Sequence, residues 1–232
     1  MSETKNELTT TENAFAVTNI SETMKEELDG FELTFDRIKV PSGGGLVYEL
    51  PSDDPANPAM AKEFRAVILH HRCERSYYKV EYDGKNEAPD CASVNGKQGI
   101  DKETGEVKTC ADCELNEFGS GKGEGKACKV KRKLFLLLEG QPLPMILNVP
   151  TGSVKDFGSF IAKTVAKYGS TTKVVTKFSL KRDTNAGGIV YSKVVAAFER
   201  LLTETELKSV LPMAEQAKSM AQTMKTIESS DE

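Results

Sequence analysis

Alternation of apolar and polar residues along the chain predicts a series of β-strands. Residues 31–40 (FELTFDRIKV) alternate as far as Phe35 and then shift phase to Ile38 and Val40. This pattern is typical of a half-buried strand, here with a bulge near Asp36. The same criterion predicts extended segments at residues 46–50, 63–72 with a continuation toward 77–82, 134–138, 144–149, 173–180 and 189–198.

One segment repeats its apolar side chains with the period of a helix instead. In residues 153–168, Ser153 is suited to cap the first turn, with Asp156 three residues on, and Gly169 is suited to end the last turn. The side chains predicted to face the core are Val154, Phe157, Ile161, Val165 and Tyr168.

With the short segment 46–50 set aside, and with 134–138 and 144–149 taken as one extended region broken by a turn, the order of these elements is strand, strand, strand, helix, strand, strand. That order belongs to the five-stranded oligonucleotide-binding (OB) barrel, which carries its helix between strands three and four. The sequence therefore predicts a mainly β, α+β domain at residues 31–202, built on an OB-fold barrel. A hydrophilic insert at about residues 82–130 falls between strands two and three.

Both ends of the chain are predicted to lie outside this barrel. Residues 1–30 are polar with little periodicity, which predicts a flexible tail. Residues 203–232 open with a second capping pattern, Thr203-x-x-Glu206, and predict a helical, acidic tail that Pro212 interrupts.

The insert contains four of the five cysteines of the chain, at Cys91, Cys110, Cys113 and Cys128. It has few large apolar side chains, so it cannot order itself by burying them. A zinc ion bound by four thiolates would contribute roughly 10–16 kcal/mol of folding free energy. The two-residue spacing of Cys110 and Cys113 lets both thiolates reach one metal, and we predict one structural zinc per chain.

Other ligand sets stay open at this point. The cysteines could be free or disulfide-bonded, although clustered cysteines in a reducing compartment are more often metal ligands. Cys73, outside the insert, could replace one of the four. His70 and His71 are adjacent on a predicted strand and point to opposite faces, so at most one could join the site, and a structural role is the better interpretation.

Charge is unevenly distributed along a chain of 232 residues with a net charge of −4. Residues 119–133 carry six basic side chains and one acid, whereas residues 203–232 carry six acids and three lysines. A basic segment that enters a strand favours a nucleic-acid-binding surface. No phosphate-binding loop, GxSxG or HExxH motif is present, which favours a non-enzymatic protein.

Proteins that bind single-stranded nucleic acid combine a positive groove with aromatic side chains on which bases stack. The basic segment and the aromatic residues near it fit that description. The residues predicted to contact nucleic acid are Tyr77, Tyr78, Lys79, Lys122, Lys126, Lys129, Lys131, Arg132, Lys133 and Phe135.

The segment CADCELNEFGSGKGEGKACKVKRKLFLLLEGQPLP resembles a group of phage and mobile-element proteins, as do the upstream stretches VILHHRCERSYY and DCASVNGKQG. The resemblance covers residues 60–200. In general plan the chain is similar to phage single-stranded DNA-binding proteins, which place a zinc module in an OB-fold and end in an acidic tail. The best known of these use a histidine as one zinc ligand, whereas this chain offers four cysteines.

We therefore expect sequence-independent binding of single-stranded DNA during phage or mobile-element replication or recombination, with the acidic tail available to replication or recombination proteins. The alternative is a zinc-stabilised interaction module directed at a host replication, transcription or defence protein. No apolar run is long enough to span a membrane and the N-terminus lacks a signal-peptide core, so the expected location is the cytoplasm of the host cell.

Overall fold

The computed structural model of the chain describes residue 15 and residues 34–54, 56–80, 88–185 and 187–223. Most of the predicted N-terminal tail and residues 224–232 of the predicted acidic tail lie outside this range. The predicted continuation of the second strand as far as residue 82 also falls partly outside it.

The described residues form a mainly β, α+β structure with a mixed sheet of nine strands, a separate pair of short strands and two helices. The strands are β1 (Arg37–Ile38), β2 (Tyr48–Leu50), β3 (Ala59–Ala61), β4 (Glu63–Tyr77), β5 (Cys91–Ser93), β6 (Gln98–Asp101), β7 (Val107–Thr109), β8 (Lys129–Leu138), β9 (Met145–Val149), β10 (Val174–Thr184) and β11 (Val190–Leu201). The helices are α1 (Thr151–Tyr168) and α2 (Glu204–Thr223).

Strand β4 connects all parts of the large sheet. It pairs with β10 through residues 63–67, with β8 through residues 66–76 and with β5 through residues 75–77. Strand β9 continues the sheet beyond β8, and β1 adds a parallel pairing at that edge. On the other side β11 pairs with β10 and forms the opposite edge.

Each face of this sheet is covered by its own hydrophobic core. The core on the α1 side, called the inner core, contains Phe157 of α1 packed against residues such as Tyr48, Phe64, Ile68, Leu136 and Phe178. The core on the α2 side, called the outer core, contains Val210, Ala214, Ala217 and Ala221 of α2 packed against residues such as Val67, Leu69, Phe135 and Leu137. Burial on both faces explains why residues 66–69 of β4 are all apolar rather than alternating with polar residues.

The two cores also explain the phase shift in the first predicted strand. Phe35 lies in the outer core and Ile38 in the inner core. Of the strand predicted at residues 31–40, only Arg37 and Ile38 form β1, so Phe35 precedes the strand and the two side chains are buried on opposite faces of the sheet.

The expected closed barrel is wrong, because the sheet is open between β1 and β11. Helix α1, which follows β9 directly, packs against β8 and against the edge strand β11. Its Ser153 was predicted to cap the helix, but the helix begins at Thr151 and Ser153 is fully buried. The Ser153 hydroxyl instead accepts a hydrogen bond of 2.9 Å from the Val194 amide on β11.

The ends of both helices were predictable in part. Gly169 ends α1 in the left-handed conformation and donates its amide to the Val165 carbonyl, as expected. Helix α2 runs through Pro212 without interruption, contrary to the prediction. Pro212 and Lys208 are both exposed, so water can bind the Lys208 carbonyl that proline leaves without its helical partner.

The predicted capping pattern at Thr203 is confirmed and includes an ion pair between a buried carboxylate and a half-buried guanidinium. The Thr203 amide donates a hydrogen bond of 2.8 Å to the Glu206 carboxylate, and the Thr203 hydroxyl accepts one from the Glu206 amide. The fully buried Glu206 also accepts two bonds of 2.8 Å from the Arg200 guanidinium. Burial alone would raise the pKa of Glu206, but these hydrogen bonds lower it overall.

We predict that Glu206→Gln lowers the free energy of unfolding at neutral pH by about 2 kcal/mol, since Arg200 loses the partner of a partly screened ion pair. A lowered carboxylate pKa stabilises the fold above the unfolded value of about 4.3 and stops doing so as the pH falls through the folded value. The difference between variant and wild type should therefore shrink in acid, as measured by urea denaturation.

The matched control for this prediction is Glu204→Gln, which changes an exposed acid in the same helical turn. It should cost less than about 0.5 kcal/mol. Equal losses for the two variants would mean that the ion pair does not hold α2 on the sheet.

Candidate functional site

The insert between β4 and β8 is built on the end of the central strand. Strand β5 pairs with β4 so that Cys91 lies opposite Tyr77, and β6 and β7 continue this small antiparallel ribbon. The sequence did not predict the ribbon, because its strands are three or four residues long and mostly polar. The backbone of the ribbon is ordered by its pairing with β4, because few side chains of the insert are buried.

Backbone hydrogen bonds fix the positions of the other three predicted metal ligands. The Cys110 amide, directly after β7, donates to the Lys97 carbonyl over 2.8 Å. The Cys113 carbonyl, at the start of a 3-10 turn, accepts a bond of 2.8 Å from the Asn116 amide. The Cys128 amide, directly before β8, donates to the Leu115 carbonyl over 2.8 Å.

All four cysteines of the insert line one small cavity between the ribbon and the end of β4. Gly99 on β6 forms part of its wall. A methyl group at Gly99 would lie 3.0 Å from Sγ of Cys91 and 3.6 Å from Sγ of Cys110, so the two sulfur atoms converge on this position. The four thiols are free, with no disulfide between them.

The thiols influence one another electrostatically. Burial, and then the proximity of Cys110 and Cys113, raise the pKa of Cys91. Burial also raises the pKa of Cys128, against an opposing effect of the Arg75 guanidinium. Four thiolates in one cavity would repel each other, and a divalent cation among them would remove that repulsion.

The described residues nevertheless contain no group of three or more His, Cys, Asp or Glu side chains already arranged to hold a metal ion. The cysteines therefore share a cavity without forming a finished coordination site. Their chemistry fits zinc, because thiolates are its usual ligands in structural sites.

A hydrogen-bond network ties this cavity to the sheet. The Arg75 guanidinium on β4 donates to the Gly96 carbonyl over 3.1 Å and to the Asn116 side-chain oxygen over 2.6 Å. The Asn116 side-chain amide in turn donates to the Cys110 carbonyl over 2.9 Å. These bonds orient the loop that carries Cys110 and Cys113, as supporting residues do around metal ligands.

The alternative ligands are not placed at this cavity. Cys73 packs against Gly96, where an added methyl group would lie 2.5 Å from its sulfur, and it does not line the cavity. His71 packs edge-on against Phe157 in the inner core, and burial is the main cause that lowers its pKa to about 4. His70 lies against Phe135, toward the outer core.

Two residues predicted to contact nucleic acid are buried instead. Phe135 is fully buried in the outer core, 5.8 Å from the ring of Phe35, so no base can stack on it. The side chain of Lys133 is 5% exposed and pairs with Glu74 at 3.1 Å. Of the apolar residues after Lys133, Phe135 and Leu137 lie in the outer core with α2, which the sequence analysis places outside the core.

The other basic residues lie nearer the surface. Lys129 is exposed, and Lys131 is half-buried opposite Glu74 on β4. Strand alternation puts Lys129 and Lys131 on one face of β8 and the half-buried Arg132 on the other. Lys79 is exposed and pairs with Glu103 at 2.8 Å, and Lys122 is also exposed.

The aromatic partner of this basic surface is a residue absent from the predicted set. Phe118 is 81% exposed on the loop between Cys113 and Cys128. The ammonium group of Lys126 lies 4.7 Å from the centre of its ring. The sequence signal for it is a phenylalanine within a basic, glycine-rich segment. Tyr77 and Tyr78, only one of which is expected to stack with a base, are both half-buried, and Tyr77 lines the cysteine cavity.

Comparison of the chain with family models, curated proteins and solved structures finds no match. Neither described helix is sufficiently long and apolar to pass through a lipid bilayer. Arguments about function therefore depend on the arrangement of these residues.

We predict that Asn116→Ala loosens the insert, because it removes the link between Arg75 and the Cys110 carbonyl. The opening free energy of the loop should fall by about 1–2 kcal/mol, which is a roughly five- to thirty-fold faster exchange of the Cys110 and Cys128 amides. Hydrogen exchange measured by NMR would report both amides. Asp112→Ala, at an exposed position between the two cysteines, is the control and should leave the rates unchanged.

Proposed function

We propose that this protein binds single-stranded DNA without sequence preference, through a zinc-stabilised insert on an open variant of the OB-fold. The observation that carries the proposal is the exposed ring of Phe118 with Lys126 above it, on the loop between Cys113 and Cys128. An aromatic face beside several lysines is the combination on which single-stranded nucleic acid binds, because every base can stack and every nucleotide carries a phosphate.

Zinc would be held by Cys91, Cys110, Cys113 and Cys128. Their position around one cavity supports this set, and a change of staggered rotamer is the ordinary way for a cysteine to turn toward a metal. Zinc bound by four thiolates is coordinatively closed, so it would supply folding free energy rather than catalysis. Its effect would be to fix the loop that carries Phe118 and Lys126 against the start of β8.

The DNA strand would contact the insert first and then the beginning of β8. Phe118 would stack with a base, and Lys122, Lys126, Lys129 and Lys131 would contact phosphates. Tyr78, Lys79 and Arg132 remain candidates at the margin of this surface, while Lys133 and Phe135 are excluded by burial. The resemblance of the insert to phage and mobile-element proteins supports a role in replication or recombination.

A second function, as a protein-interaction module, is favoured by a different surface. Ile100 and Val107 lie opposite each other on β6 and β7 and are 57% and 59% exposed. A pair of exposed aliphatic side chains on a ribbon suits a protein partner better than a nucleic acid. In that function zinc would have the same structural role.

For the metal, we predict about one zinc ion per chain in protein purified without chelators, measured by elemental analysis. Cys113→Ser should lose the metal and the order of the insert, while the circular dichroism of the sheet stays close to wild type. Cys73→Ser is the matched control and should keep its zinc, since Cys73 lies outside the cavity. Metal-free wild-type protein with an ordered insert would contradict the proposed centre.

For DNA, we predict that the double variant Lys129→Ala and Lys131→Ala weakens binding to oligo-dT and reduces its salt dependence. Each phosphate contact contributes about −0.7 to the slope of log affinity against log salt, so the slope should flatten by about 1.4. Phe118→Ala should instead lower affinity by about 1–3 kcal/mol at nearly constant slope. Fluorescence anisotropy at several salt concentrations measures both quantities.

The control for the charge variant is the pair Lys62→Ala and Lys181→Ala, which removes two exposed lysines far from the insert along β4 and β10. It should change neither affinity nor slope. If wild-type protein does not bind oligo-dT at low salt, the interaction module becomes the leading function.

A further inference from the structure

A second exposed aromatic group lies at the C-terminal end of α1. The rings of Tyr168, the last residue of α1, and Phe198 on β11 are stacked, with centroids 4.7 Å apart and planes 14° from parallel. Phe198 is 41% exposed and Tyr168 half-buried. Neither ring belongs to the inner or the outer core.

The sheet irregularity next to Phe198 enlarges this surface. The pairing of β10 and β11 shifts by one residue there, so that Phe198 lies opposite Thr176, Leu201 lies opposite Val174, and Glu199 is the additional residue. Without the shift, Leu201 would point to the opposite face of the sheet from Phe198; with it, both share one face. Leu201 is 52% exposed, and Val165, one turn before Tyr168, is 44% exposed.

Positive charge surrounds these apolar side chains. The ammonium group of Lys167 lies 5.1 Å from the centre of the Tyr168 ring. Lys173 is exposed, and its ammonium group lies 3.9 Å from where a methyl group on Gly169 would be. The nearest acid along β11, Glu199, is bonded to Arg65 at 3.1 Å. The charge complements a polyanion, which distinguishes this surface from the apolar pair on the ribbon.

We propose that the Tyr168–Phe198 pair is a second base-stacking platform for single-stranded DNA. A base would extend the existing stack on the ring of Phe198, which is 41% exposed, and Lys167 and Lys173 would contact the phosphates on either side of it. Rings that are already stacked lose little side-chain freedom on binding, which favours the recruitment of a further ring. This inference rests on the proposed function, since it assigns to the same ligand a second contact.

Helix α1 separates the two surfaces. It begins beside β8, where the Thr151 hydroxyl donates to the Val130 carbonyl over 2.8 Å, and ends at Tyr168 after 18 residues. At 1.5 Å per residue the helix is about 27 Å long. A short oligonucleotide would therefore contact one surface at a time, whereas a longer strand could contact both and gain affinity through the linkage.

The chain contains no tryptophan, so a single introduced tryptophan reports on one surface alone. Phe198→Trp would place the reporter in the stacked pair, and Phe118→Trp would place it on the insert. We expect oligo-dT of about twenty nucleotides to quench both reporters, because thymine stacks on each indole. Lys167→Ala and Lys173→Ala are then added to each reporter variant. They should weaken the quenching of the tryptophan at position 198 at least several-fold. They should leave unchanged the quenching of the tryptophan at position 118 by an oligo-dT of about six nucleotides.

The outcomes separate this inference from the proposed function. Quenching at position 118 without quenching at position 198 by the longer strand would overturn the second platform and leave the insert as the binding site. An absence of quenching at both positions, together with unchanged anisotropy of labelled oligo-dT mixed with wild-type protein, would overturn the proposed function itself. Urea denaturation of each tryptophan variant checks that its fold is retained.

Discussion

The central strand β4 is the constraint on which the rest of the structure depends. Its 15 residues pair with β10, β8 and β5 in succession, so one extended segment carries both the hydrophobic cores and the cysteine-rich insert. A strand is a stiff element at this length, because its neighbours hydrogen-bond along it. The insert is therefore positioned by the sheet, although almost none of its own side chains enter either core.

The elements of the fold could be predicted where the sequence is strongly periodic. The strands at residues 63–72 and 173–180, helix α1 and the Thr203–Glu206 cap all follow from local patterns. The open sheet could not be predicted, since an order of strands does not state whether the two edges meet. The burial of α2 on the sheet could not be predicted either. Its contact face is largely alanine, at Ala214, Ala217 and Ala221, so the sequence shows only a weak apolar stripe at helical spacing.

In the candidate site, too, some residues could be predicted from local sequence and others depend on tertiary packing. The four cysteines could be identified from spacing and composition alone, and they line one cavity. The basic residues could be identified only as a group, because strand register and the position of α2 decide which of them reach the surface. Lys133 and Lys131 are two residues apart on one face of β8, yet the first is buried against Glu74 and the second is accessible. The aromatic residues differ in the same way: Phe135, which is in the predicted binding set, is fully buried, whereas Phe118, which is not, is 81% exposed.

Gly99 has a consequence for how such a centre can change over time. The space in front of the sulfur atoms of Cys91 and Cys110 exists only because this position has no side chain, and even the smallest addition would enter it. The exposed ribbon positions Gln98, Ile100 and Val107 do not line the cavity and can change without reaching it. At Gly99 an added methyl group would lie 3.0 Å from Sγ of Cys91, so that thiol would have to move by a few tenths of an ångström to admit it. A change at Gly99 therefore acts directly on the sulfur atoms, whereas a change at those exposed positions does not.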